Sequence, residues 1–345
     1  MDNDRPVRIG LVGYSKGGRY FHAPLIAGAA GCELAGVVTR SAERRTDLEH
    51  DHPGTPAYDD LAEMAGAVDA VAISTPADTH VQLVLQAVSL GLPVLCDKPF
   101  APDSATAREA VDAAESAGVP LTVYQNRRYD ADVLTVRAVI DSGELGRVTR
   151  LESRMEQHTP PGGIPASGGG VLLDLGAHAV DQALQLFGPA ASVYAELDDA
   201  GGVPGRFFVA LRHVDGVVSH LIGDMTLHGA PGPRFRVFGT HGGYDVHTFD
   251  GQADALLAGG SPSASGDAWG VVPHERWGRL HSDRSTRRWP SERGDWTLLY
   301  TAFADAVRGR GDVPVDPRDA VAALVVLEAA QRSAEMGQVV TLDTP

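Results

Sequence analysis

Asp174 and His178 stand four residues apart in the run Gly168-Gly-Gly-Val-Leu-Leu-Asp174-Leu-Gly-Ala-His178-Ala-Val-Asp181. On a helix that spacing puts both side chains on one face. A histidine beside a carboxylate suits proton transfer near neutral pH. The plainer readings are a helix N-cap for Asp174 and a half-buried helix histidine for His178. A metal pair also fits the spacing, but the sequence offers no obvious further ligands, and no metal is expected. Lys98 lies in Cys96-Asp97-Lys98-Pro99-Phe100, at the carboxyl end of a strand-like run. Ligands of open α/β sheets bind outside such ends. A lysine there, beside a carboxylate and held by a proline, can meet a substrate oxygen; read alone, it is equally an ordinary surface lysine.

A second group of residues has the chemistry of a dinucleotide site. Gly13, Ser15 and Gly18 in Gly13-Tyr14-Ser15-Lys16-Gly17-Gly18 fall where such a turn needs a tight bend, a close approach to pyrophosphate and a helix contact. Ser15 replaces the usual middle glycine, so its hydroxyl either donates to phosphate or crowds the approach. At the end of the next strand-like run stand Thr39, Arg40 and Ser41, followed by Arg44 and Arg45. An acidic residue there would accept from a ribose 2′-hydroxyl and select NAD. Thr39 cannot repel a 2′-phosphate, and the arginines can bind one, which favours NADP with NAD as the alternative.

The elements that must position these residues follow two patterns. Val7 to Val12, Leu34 to Thr39, Ala70 to Ser74, Pro93 to Cys96 and Pro120 to Val123 are apolar runs suited to strands buried on both faces. Between them, His80 to Leu90 and Ser104 to Ala117 read as helices closed by Gly91 and Gly118, with Ser104 as an N-cap candidate. This alternation predicts an α/β doubly wound parallel sheet over residues 1–123. From 124 to 345 the pattern changes. Helices are expected over Ala131 to Ile140, Asp174 to Phe187, Trp296 to Val307 and Pro317 to Met336. Strands are expected over Val148 to Glu156, Ser192 to Leu197, Phe207 to His213, Val217 to Met225, Phe235 to Phe238 and Val339 to Leu342, with a two-residue hairpin at Asp215-Gly216. Gly259 to Gly294 reads as long loops. The expectation is an α+β domain on a large, mostly antiparallel open sheet.

Composition narrows the function classes. The 345 residues divide naturally into two domains. With 29 Lys plus Arg against 45 Asp plus Glu, the net charge of −16 argues against general affinity for nucleic acid or an anionic membrane. Cys32 and Cys96 alone make neither a disulfide framework nor a CxxC metal pair. The polar Met1-Asp-Asn-Asp-Arg-Pro start reads as no signal peptide, and no apolar segment is long enough to span a bilayer. A cytoplasmic protein is expected. Trp269, Trp277, Trp289 and Trp296 cluster in one stretch, where they cover a site, form a subunit contact or simply pack.

Taken in order along the chain, these motifs resemble the Gfo/Idh/MocA family of NAD(P)-dependent oxidoreductases. The carriers are the glycine turn, Ser74-Thr75-Pro76 with His80, Asp97-Lys98-Pro99, and Asp174 with His178. Phe21-His22-Ala23-Pro24-Leu25-Ile26, Asn126-Arg127-Arg128-Tyr129-Asp130 and Trp277-Gly278-Arg279-Leu280 are similar to the scyllo-inositol dehydrogenase subgroup. The resemblance implies that Lys98, Asp174 and His178 are catalytic. It implies that Gly13, Tyr14, Ser15, Gly18, Thr39, Arg40, Ser41, Arg44, Thr75, Pro76, His80, Asp97 and Lys98 hold the cofactor. Asn126 and Arg128 join Lys98, Asp174 and His178 as candidate substrate residues. It further implies a sugar or polyol substrate and a homodimer or homotetramer formed through the C-terminal sheet. The loop Glu156 to Gly170 lacks the charged residues of the inositol-type subgroup, so the substrate itself does not carry over. Two other classes share the scaffold: a dinucleotide-sensing regulatory protein, and an NAD-dependent glycoside-cleaving enzyme.

Overall fold

The computed structural model describes residues 5–159, 170–199 and 204–343. The chain forms two compact units: Met1–Asn126 with Gly251–Trp269 and Asp295–Val321, and Arg127–Asp250 with Gly270–Gly294 and Ala322–Pro345. The first unit therefore takes in two later segments that a single cut after residue 123 assigns to the second. Packing explains why: Thr122 Oγ1 donates to Val315 O at 2.8 Å and accepts from Val315 N at 3.1 Å, both groups buried.

The first unit is built on β1 (Val7–Val12), β2 (Cys32–Val38), β3 (Ala57–Tyr58), β4 (Ala70–Ile73), β5 (Val94–Cys96) and β6 (Leu121–Val123). All pairings are parallel, in the order β3-β2-β1-β4-β5-β6. Every residue of β4, β5 and β6 is buried, as a sheet covered on both faces requires. Strand order reverses between β1 and β4, and that switch point opens the crevice where such sheets bind ligands. Helix Ser104–Ala117 has the expected bounds, and Gly118 ends it at φ +65°. Its cap is Asp103 rather than Ser104: Asp103 is extended, and its carboxylate accepts from Thr106 N at 2.7 Å.

The second unit carries β7 (Val148–Glu156), β8 (Ala190–Asp199), β9 (Pro204–His213), β10 (Val218–Asp224), β11 (Phe235–Gly239), β12 (Gly242–Val246), β13 (Arg279–Ser282), β14 (Thr286–Arg288) and β15 (Val340–Thr341). Among the described residues they form one sheet, β14-β13-β12-β11-β7-β10-β9-β8-β15, antiparallel except for the β7–β10 pair. Alternation places Leu151, Val209, Leu211 and Leu221 in the core. Three expectations need correction. The β9–β10 hairpin is longer than two residues: His213 N bonds Val217 O, and Gly216 closes the loop at φ +86°. The stretch Gly259 to Gly294 includes β13, β14 and the short helix Pro262–Ser265. The helix expected from Asp174 starts at Gly170 instead, and breaks at Leu175 into Gly170–Asp174 and Gly176–Phe187. Trp269 and Trp296 are buried in the first unit; Trp277 and Trp289 are half-buried in the second.

Candidate active site

The glycine turn leaves β1 and leads into the helical segment ending at Gly28. Gly13 is at φ +101°, and a Cβ there would stand 2.4 Å from Ser74 O. A Cβ on Gly18 would stand 2.1 Å from Gly13 O. Both positions thus require glycine, one for backbone conformation and both for close backbone packing. The Tyr14 ring is buried, and its hydroxyl donates to Asp51 at 3.3 Å. Burial and then the Asp51 charge push that phenol well above its ordinary range. Ser15 and Lys16 are exposed at the start of the helix, where the first N–H groups lack intrahelical partners and favour an anion.

A cleft of ≈ 590 Å³ opens at the carboxyl ends of β1, β2 and β4, lined by Gly13, Tyr14, Thr39, Arg40, Thr75 and Pro76 among others. The arginines that follow β2 have different commitments. Arg45 donates to Thr39 O at 3.0 Å and to Asp59 Oδ1 at 2.7 Å, so it ties the strand end to the loop beyond it. Arg40 donates from Nε to Asp59 O at 3.0 Å. Arg44 is exposed and lines the cleft. The Ser41 hydroxyl caps the next helix by accepting from Arg44 N, which leaves its proton available to a phosphate.

One strand further along, β5 delivers Asp97 and Lys98, and the Lys98–Pro99 bond is cis. Asp97 Oδ1 accepts from Lys98 N at 2.8 Å; its Oδ2 accepts from Ser74 Oγ at 3.0 Å and lies 3.1 Å from His22 Nε2. Burial opposes ionisation here. The His22 charge and hydrogen bond, then the charges of His80 and Lys98, outweigh it and bring the Asp97 pKa down to about 2. His80 is buried, with Nδ1 2.9 Å from Pro99 O and Nε2 2.9 Å from Thr75 O. It thereby links the turn after β4 to the turn after β5.

In the second unit, Leu175 keeps right-handed helical backbone (φ −88°, ψ −36°), so the break preserves the one-face relation of Asp174 and His178. Asp174 is half-buried and His178 is 5% exposed. Arg128 donates to both oxygens of Asp181, at 2.9 and 2.6 Å. The buried Arg234 donates to Asp132, Ser153 and Gln182, and stacks on Phe235 at 3.9 Å.

The comparisons with known proteins agree with this architecture. Residues 7–125 match the model of an oxidoreductase family with an NAD-binding Rossmann fold, and residues 133–245 match the GFO/IDH/MocA C-terminal domain. The oxidoreductase YdgJ of Escherichia coli is 32% identical, with 95% of this chain and 96% of that protein aligned. The chain belongs to the Gfo/Idh/MocA oxidoreductases. Another relative is the NADP(+) scyllo-inositol 2-dehydrogenase IolW of Bacillus subtilis, 28% identical over 98% of this chain and 96% of its own length. A crystal structure from Klebsiella pneumoniae superposes with a TM-score of 0.90 at 34% identity, covering 99% of this chain and 96% of that one.

A dinucleotide fits the residues this family member presents: a turn with no room for a Cβ at Gly13 or Gly18, a helix start and a cleft at the switch point. Of the expected cofactor residues, Gly13, Tyr14, Thr39, Arg40, Ser41, Arg44, Thr75 and Pro76 line that one cleft. Asp97 and Lys98 lie at the end of β5, and Asn126 is buried at the end of the first unit's opening segment. Sequence reasoning missed His22, Ser74 and Gly17 as members of the Asp97 cluster. The only signal was their presence in the quoted Phe21-to-Ile26, glycine-turn and Ser74-to-Pro76 motifs. Residues 160–169, which make up most of the loop Glu156 to Gly170, lie outside the described residues. Among the described residues no group of His, Cys, Asp and Glu is placed to hold a metal ion, and no helix is long and apolar enough to cross a membrane.

Proposed function

We propose that this oxidoreductase transfers hydride between NADP(H) and a secondary alcohol or ketone of an inositol-like polyol or sugar. The carrying observation is the placement of Lys98 at the carboxyl end of β5, bonded through its N–H to an ionised Asp97. When bound, the nicotinamide supplies the hydride chemistry. Lys98 stabilises charge that develops on the substrate oxygen, His178 takes the hydroxyl proton, and Asp174 orients the histidine. Arg40 and Arg44, with no carboxylate at Thr39, support NADP over NAD, and IolW is itself named for NADP(+). Asn126 and Arg128 are assigned to the substrate, Arg128 with its guanidinium already fixed by Asp181.

The outer face of the nine-stranded sheet carries Phe208, Ile222 and Phe238 among charged residues, and the proposal includes a homodimer or homotetramer formed there. The free Cys32 and Cys96 suit a reducing compartment, here the cytoplasm. Turnover against inositols, aldoses and their keto forms with both cofactors tests the reading. Net NADPH formation with a polyol is expected, and Lys98→Met should reduce it at least about 100-fold while cofactor still binds. A sensor gives no turnover; a glycoside-cleaving relative gives product without net reduction. Either result, or near-normal turnover in Lys98→Met, overturns it.

A further inference from the structure

We infer that His22, held between Tyr300 and Asp97, is a positioning residue for the turn that carries Lys98. The inference rests on the reading of Lys98 as the residue that meets the substrate oxygen. His22 is 1% exposed. Its Nδ1 lies 2.6 Å from the Tyr300 hydroxyl, its Nε2 3.1 Å from Asp97 Oδ2, and the Tyr124 ring packs beside it at 4.3 Å. A hydrophobic residue would fill this volume without burying a polar ring, so the hydrogen bonds are what histidine adds.

The donors and acceptors fix the Asp97 end of this chain of bonds. Asp97 accepts from Ser74 Oγ and Lys98 N, and as an ionised carboxylate it can only accept from His22 as well. Nε2 of His22 therefore carries a proton, and Nδ1 pairs with the Tyr300 hydroxyl, accepting from it when the ring is neutral and donating to it when the ring is charged. Burial, then the neighbouring Tyr124 and Asp97, keep that phenol protonated and able to donate. The order Tyr300 to His22 to Asp97 to the Lys98 N–H runs from the helix Thr297–Val307, through the segment following the glycine turn, to the end of β5. It fixes the carboxylate on which the Lys98 backbone rests. The titratable groups around Asp97 and its partners are His22, His80, Lys98, Cys96, Tyr300, Tyr124 and Cys32.

Composition makes the test direct, because Lys16 and Lys98 are the only lysines in the chain. Selective 13C labelling of lysine gives two ε-carbon signals in the full-length protein, and Lys98→Met assigns them. In His22→Leu the Lys98 signal should shift or broaden while Lys16 stays in place. His22→Gln, which retains a donor near the Nε2 position, should restore it. With NADP and scyllo-inositol, His22→Leu should lower kcat tenfold or more with the KM for NADP within twofold, and His22→Gln should recover most of the loss. Tyr300→Phe, which removes one oxygen, should move the Lys98 signal in the same direction by less, and it decides the matter if His22→Leu does not fold. A Lys98 signal unchanged in a folded His22→Leu, or in Tyr300→Phe, overturns the inference whatever the substrate. Retained turnover in Lys98→Met removes the functional reading instead and leaves the measured coupling standing.

Discussion

The Ser74 hydroxyl stands 2.7 Å from where a Cβ on Gly17 would lie, so the glycine turn and the Asp97 cluster share a contact. Alanine at 17 would force Ser74 Oγ to rotate away and break its 3.0 Å bond to Asp97 Oδ2. Hydrogen bonds to charged groups contribute about 1.5–3 kcal/mol. Gly17→Ala and Ser74→Ala should each lower turnover, and the double variant should be little worse than either. A double-mutant cycle on kcat/KM checks this, and additive losses would mean that the two residues act separately.

How legible was this arrangement before the fold? The core strands of the first unit were, because β1, β4, β5 and β6 are short, largely apolar runs rich in β-branched residues, whose length and flanking turn residues favour buried strands. β3 was not: two residues, Ala57 and Tyr58, carry no period. β13 and β14 escaped because Arg279, Arg287 and Arg288 leave these short strands, the outer two at one end of the sheet, without an apolar alternation. The cap of Ser104–Ala117 was misplaced by one residue because Asp103 and Ser104 are both good capping types, and only backbone dihedrals separate them. Lys98, Asp174 and His178 were singled out from local motifs. His22 was visible as a motif but not as a partner of Asp97, since the pair is 75 residues apart and no local spacing encodes that contact.

Asp69 predicts how stability responds to acid. It accepts from Arg5 at 2.8 and 2.9 Å and from Arg8 through the backbone N–H and the guanidinium. Burial opposes its ionisation, but the Arg8 and Arg5 hydrogen bonds prevail and hold the carboxyl below the usual range. A depressed folded-state pKa means that the contribution is complete above about pH 4, where the unfolded carboxyl is ionised, and is lost as pH falls toward the folded value. With both arginines over a third exposed, the contribution at neutral pH is about 1–3 kcal/mol. Urea unfolding of wild type and Asp69→Asn should differ by that amount at pH 7, and the gap should narrow progressively as pH falls below about 4.

Cofactor choice separates Arg44 from Arg45. Arg44 is free to reach a 2′-phosphate from the cleft wall, whereas Arg45 is bound to Thr39 O and Asp59. Arg44→Ala should weaken NADP about tenfold and leave NAD within twofold, the scale of one solvent-screened charge-assisted bond. Arg45→Ala should weaken both cofactors together by loosening the end of β2. Thr39→Asp with Arg40→Ala should reverse the preference, although Thr39 is only 6% exposed and the new carboxylate must find room at the strand end. Fluorescence titration with NADPH and NADH reads all four proteins. A wild-type preference for NADH would return Arg40 and Arg44 to the solvated surface.

Lys16 gives the sharpest test of the unusual glycine turn. Of the 29 lysines and arginines, 27 are arginine, so a lysine at 16 departs from the chain's own habit. The other lysine is Lys98. An exposed ammonium at the first helical residue after Ser15 lies where the helix start already favours an anion. A compact ammonium on a flexible stem can follow a phosphate without the planar fit that a guanidinium needs. If Ser15 crowds the approach rather than donating to phosphate, the Lys16 charge would offset a looser fit by attraction rather than by contact. Lys16→Ala should therefore raise the Kd of NADPH and NADH alike about tenfold, because both carry the pyrophosphate. The loss should shrink as salt rises from about 0.05 to 0.5 M, where screening removes the attraction from the wild type. Ser15→Gly should recover part of it by letting the backbone close on the phosphates. Equal affinities in Lys16→Ala and wild type at low salt would leave Ser15 and the backbone to hold the pyrophosphate alone.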